Sequence, residues 1–116
     1  MKIGIYTDSH YSSAEITCGC RYNNQSARSR RHMRALKERD ADTYIFVHQN
    51  IDPAVKANHR LFNADKILDM IDESKVVRAV FQEHYHPGCR SQYNGIQYIT
   101  LPAMCESENA FWVYEI

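Results

Sequence analysis

Apolar and polar positions fall in blocks along the chain, and the spacing inside each block predicts an element. Residues 2–7, KIGIYT, make a short β-branched and aromatic run that predicts a strand, and the polar stretch DSHYSS ends it. No period is visible from there to Gln25, which predicts a loop. SARSRRHMRALKERD predicts a helix that starts at Ser26, with a thin apolar stripe of Ala27, Met33, Ala35 and Leu36. TYIFVH is apolar at successive positions, as a central strand covered on both faces requires. Pro53 falls in the loop that follows. NADKILDMIDES predicts a second helix, with Asn63 as N-cap and Ile67, Leu68 and Ile71 on one face. VVRAVF, GIQYITL and FWVYEI predict three further strands, with Asn94-Gly95 a turn ahead of GIQYITL.

The resulting order is β-α-β-α-β and then two more strands. It predicts an α/β fold: a layered sheet with flanking helices, parallel in part, with an antiparallel edge. A chain of 116 residues is the length of one domain, 1–116, and a domain of that size hides roughly two thirds of its unfolded surface. There is no internal repeat and no low-complexity tract.

Charge and composition narrow the function. Fourteen basic and fourteen acidic residues cancel, which argues against a dedicated binder of nucleic acid or of anionic membranes. No run nears the roughly 18 apolar residues of a membrane span, and the N-terminal apolar run meets a polar turn too early for a signal peptide. A soluble, cytoplasmic protein is therefore expected, with its four cysteines as thiols. Cys18 and Cys20 form a C-x-C pair, but Cys89 and Cys105 are too far apart to supply the second close pair of a structural zinc site.

Six histidines are many for this length, and they cluster by position. In open α/β sheets ligands bind at the carboxyl ends of the strands. Asp8 and His10 follow the first strand, His48 ends the second, and His84 and His86 follow the third. Residues i and i+2 of an extended chain point the same way, so Asp8 aims with His10 and His84 with His86. One carboxylate and four imidazoles converging on one rim suit a divalent transition metal: manganese, iron or zinc. Taken singly, each piece has a plainer reading. D-x-H is a common turn, His48 a polar residue at a strand end, and H-x-H a loop.

In combination they resemble a known family. GIYTDSH, FVHQN and EHYHPG are similar to the first, fourth and fifth motifs of calcineurin-like metallophosphoesterases, and YNGIQYITLPAMCES resembles the stretch after the last histidine motif in bacterial members. GCRYNNQS is similar to a segment of the branch that includes manganese-dependent ADP-ribose and CDP-alcohol diphosphatases. The resemblance implies a shortened metallophosphoesterase-like fold and a hydrolase acting on phosphodiester or nucleotide-diphosphate bonds by a metal-activated water. It implies one ion held by Asp8, His10 and His86, a second by His48 and His84, and a phosphorylated small-molecule substrate met by Arg21 and Tyr22. The family's second motif, which carries the bridging carboxylate, and its third, Gly-Asn-His with the catalytic histidine, are missing between His10 and His48. The chain looks like a member with its centre removed near residues 42 and 43. One or two ions are implied, one well held and the other weak or absent, with slow hydrolysis or none, since a lost proton donor typically lowers rate by about 10²–10⁴-fold. Glu83 stands where the family has glycine, so it either crowds the site or adds an oxygen ligand. The other reading is a non-catalytic metal-binding or oligomerising module of the same descent. A missing centre would bare apolar sheet surface, so a homo-oligomer is expected.

The remaining signals have bland readings as well. Arg28, Arg30, Arg31 and Arg34 read as a solvated helix face or as an attractor of phosphate. Tyr85, Tyr93 and Tyr98 read as packing or as the lining of a base pocket.

Overall fold

In the computed structural model the described residues are 3–6 and 25–116, with side chains from residue 30 onward. Among the described residues eight segments are regular. They run β1 (Ile3–Tyr6), α1 (Gln25–Glu38), β2 (Asp42–Val47), a one-turn 3-10 helix (Ala57–His59), α2 (Ala64–Ser74), β3 (Val77–Gln82), β4 (Cys89–Tyr93) and β5 (Ile96–Thr100). The strands form one sheet in the order β1-β2-β3-β5-β4, parallel except for the antiparallel β4 at one edge. The fold is α/β, as the alternation of elements predicts.

Two differences from the sequence pattern stand out. β4, CRSQY, is a strand that its polar composition hides: as an edge strand its residues are half-buried or exposed. It is fixed by its hairpin instead. Asn94 and Gly95 both take positive φ, 50° and 79°, as a two-residue type I′ turn demands, and Asn94 Nδ2 donates to Asp72 on α2. The C-terminal run FWVYEI, expected as a strand, pairs with none. It lies along the sheet face instead. Tyr114 turns inward, edge-on to Tyr44 at 6.0 Å and to Phe81 at 5.0 Å, Trp112 is 41% exposed beneath the Arg90 guanidinium, and Phe111 and Val113 are 74% and 73% exposed. Its period of two is real, but it reports one covered face and not a ladder.

The helices cover the other face. Met33 of α1 and Ala64, Leu68 and Ile71 of α2 pack on Ile45, Val80, Ile96 and Tyr98 of the sheet. An irregularity between β2 and β3 pairs Thr43 with Val77 but Tyr44 with Ala79, leaving Arg78 unpaired in register. Such a one-residue slip reverses which face each side chain meets, so Val77 joins Val80 on the helix side while Ala79 and Phe81 face the tail. Arg78 uses its freed position to reach Asp42 at 2.6 Å.

Each helix ends in a left-handed residue. At α1, Asp40 (φ 47°) donates to Lys37 O and Ala41 to Leu36 O, the paired bonds of a Schellman cap. At α2, the left-handed residue is Lys75 (φ 61°). Asn63 precedes α2, but its side chain caps nothing, and its Oδ1 is buried without a partner. The turn closes through its backbone, Lys66 N–H to Asn63 O. Arg30 of the basic cluster pairs with Glu73 and ties α1 to α2, which is a bracing role. No helix among the described residues is long and apolar enough to cross a membrane.

Candidate metal centre

β1, β2 and β3 are parallel neighbours, with Tyr6 opposite Ile45 and Val47 opposite Gln82. Their carboxyl ends therefore share one rim. His48 leaves β2 there, and Glu83, His84 and His86 leave β3 there, around an open cleft also lined by Leu61, Phe62 and Met104. Asp8, His10, Arg21 and Tyr22 lie outside the described residues, as do Cys18 and Cys20.

A buried polar lattice beneath the rim holds the His48 loop. Asn50 Nδ2 donates to Thr100 Oγ1 at 2.8 Å, and Ile51 N–H to Gln82 Oε1 at 2.8 Å, so the ends of β3 and β5 grip residues 50 and 51. Asn50 Oδ1 accepts from Asp52 N–H at 3.0 Å, and Asp52 Oδ1 accepts from Ala54 N–H at 2.8 Å and from Ser91 Oγ at 2.6 Å. All four anchors, Asn50, Asp52, Gln82 and Thr100, are buried. In such surroundings each satisfied bond matters more because its loss would leave a desolvated group behind. Sequence reading passed these residues over. The available signal was N-x-D-P, whose Asn and Asp bond backbone two residues on.

Burial also acts on Cys89. Desolvation first, then the charge of Asp52 and a hydrogen bond to it, push its thiol above the usual range.

His84 sits in a strained turn. Tyr85 N–H donates to Glu83 O at 2.8 Å, and His84 between them has φ 68°, the γ-turn form that is rare and strained. This corrects the expectation that His84 and His86 aim together: the i, i+2 rule needs extended backbone, and the turn breaks it. His84 instead faces His48, their ring centroids 5.4 Å apart. Glu83 reaches His48, with Oε1 at 3.0 Å from Nδ1. It neither fills the space of the rings nor stands apart from them. It engages Nδ1 of His48.

His86 turns to a different partner, Glu106, whose Oε1 is 2.8 Å from its Nδ1. The loop is clamped to the segment after β5 by Ala103 N–H to His86 O at 3.0 Å. Gly88 is required where the two segments touch. Its φ is 73°, and a Cβ there would lie 3.0 Å from Pro102 N. His59, in the 3-10 turn, rests against Tyr85 at 5.3 Å.

The donor set suits a divalent ion. Metal-ligating histidines nearly always give their second nitrogen to a carboxylate or carbonyl, which fixes tautomer and ring orientation. His48 and His86 both show that pairing, and the His48 and His84 rings meet edge to face beside it.

No protein-family model matches the chain, and no curated protein matches its sequence significantly. Among solved structures it is similar to a dimetal phosphatase from Danio rerio, with a TM-score of 0.69 and 20% identity over 75% of this chain. The chain spans about 28% of that protein's length. What the two share is the α/β fold.

Proposed function

We propose that this chain is a metal-dependent phosphoesterase-like protein that acts slowly on phosphodiester or nucleotide-diphosphate bonds of small phosphorylated substrates. The observation that carries the reading is the His48–Glu83 pair facing the strained His84 at the rim where three parallel strands end. A fold shared with a dimetal phosphatase supports it. Asp8, His10 and His86 would hold one divalent ion, manganese, iron or zinc, and His48 and His84 the other, with Glu83 orienting His48. The ion supplies Lewis acidity toward a phosphoryl oxygen and toward the attacking water. The chain's own groups do the rest. Glu83 holds the His48 ring and Glu106 the His86 ring, and Arg21 and Tyr22 receive the phosphate. No histidine in the Gly-Asn-His pattern stands ready to protonate the leaving group, so turnover falls about 10²–10⁴-fold below that of an enzyme with one. The test is hydrolysis of a chromogenic phosphodiester with added manganese. Slow activity that His86→Ala abolishes supports the reading. Activity without manganese, or activity unchanged by that substitution, refutes it.

We also infer that residues 1–116 act as one unit and self-associate. The tail supports this: Phe111, Val113 and Ile116 are exposed along an extended segment without strand partners, and Phe46 stays 48% exposed on the same sheet face. A second copy would cover that surface.

A further inference from the structure

Beside the His86–Glu106 pair lies a thiol, Cys105, that the phosphoesterase reading leaves unused. Ala103 to Ser107 form a tight turn, with Glu106 N–H and Ser107 N–H both donating to Ala103 O at 3.0 Å. The turn is bonded to the histidine loop through Ala103 N–H and His86 O. It brings Cys105 and Glu106 to His86, so that one ligand atom from each lies within 4.8 Å of the others. No other group of three such side chains occurs among the described residues. Orientation of His86 would need Glu106 alone. It gives no reason for a thiol at the same spot.

We propose that Cys105, Glu106 and His86 form a binding site for a thiophilic divalent cation of the zinc class. The ligands would be the Cys105 Sγ, a Glu106 carboxylate oxygen and the His86 Nδ1. The ion would take the Nδ1 lone pair and a Glu106 oxygen in place of the hydrogen bond between them, the neutral imidazole carrying its one proton on Nε2, and the thiol proton goes to solvent. Three protein ligands leave one tetrahedral position for water. Sulfur sets the selectivity: thiolate favours zinc, cobalt and cadmium, whereas manganese and magnesium prefer oxygen. Both segments are already fixed by backbone bonds and by the close contact of Gly88 with Pro102, so binding orders little that is loose. The site shares His86 and Glu106 with the proposed phosphoesterase centre, but its cobalt–thiolate band is read without any hydrolysis, so the two proposals fail separately.

Cobalt(II) is the probe, because a cobalt–thiolate bond gives a near-ultraviolet charge-transfer band that cobalt on nitrogen and oxygen alone lacks. The full chain, kept reduced, is titrated with cobalt and the band followed. The expected result is a band saturating at one cobalt per chain. It is absent in Cys105→Ser and intact in Cys89→Ser, in Cys18→Ser/Cys20→Ser and in His48→Ala. Glu106→Gln weakens the affinity by at least about tenfold, the low end of what even an outer carboxylate contributes. Manganese in excess does not displace the cobalt, and zinc does. No band in the native chain, a band that survives Cys105→Ser, or a band indifferent to His86→Ala overturns the proposal. Cys105 and Glu106 are exposed, so their replacement leaves folding intact.

Discussion

Tyr98 is wholly buried, yet its hydroxyl has no hydrogen-bond partner among the described residues. Burial first, then the charges of Asp72 and Asp52, hold the phenol protonated far above its ordinary range. An unfolded chain ionises there near pH 10, while the folded chain keeps its proton. Tyr98 therefore leaves stability untouched below that pH and lowers it as pH rises further, by up to about 1.4 kcal/mol per pH unit. Tyr98→Phe is expected to change stability little at pH 7, since no bond is lost, and to flatten the alkaline limb of urea unfolding. Asp52 is the opposite case. It accepts from Ala54 and Ser91, so Asp52→Ala should lower the urea midpoint by the equivalent of about 1–3 kcal/mol. At His84, strain and chemistry oppose each other. His84→Gly should stabilise the fold by roughly 1 kcal/mol by relieving the positive φ, and should weaken manganese binding in a calorimetric titration.

At the scale of elements, Asn63 tests what a cap contributes. An Asn N-cap is usually worth about 1 kcal/mol, but here the side chain makes no bond, so Asn63→Ala should cost under about 0.5 kcal/mol by thermal or urea unfolding. β1 and β2 were legible as short apolar, β-branched runs, β3 and β5 as apolar segments bounded by turns, and both helices by an apolar stripe. Ile67, Leu68 and Ile71 mark the α2 face, and Asn94-Gly95 marks the hairpin. β4 was not legible, because an edge strand needs no apolar face and CRSQY shows none. The tail was misread for the complementary reason: Trp112 and Tyr114 alternate with Phe111 and Val113, and alternation records which side is covered, not whether a neighbouring strand exists. In the candidate site, His48 and His84 could be placed at strand ends from the pattern alone. Their orientation could not, since a γ-turn at a non-glycine residue and the carboxylate partners Glu83 and Glu106 leave no spacing signal.

Two surfaces stand out at the scale of the described molecule, a rim of histidines and an exposed apolar tail. The tail predicts association: light scattering should give a dimer or larger species, and Val113→Lys with Phe111→Ser should shift it toward monomer. A sharp monomer at high concentration in the unsubstituted chain would contradict that. The rim carries the central claim, that histidines delivered by separate parallel strands bind divalent ions. Its most direct measurement is a manganese titration of the metal-stripped chain, read by calorimetry and checked by elemental analysis. The account predicts one tight and one weak ion per chain, with the weak one lost in His48→Ala/His84→Ala and the tight one kept. A chain that takes up no manganese, or a titration that the double substitution leaves unchanged, would contradict it.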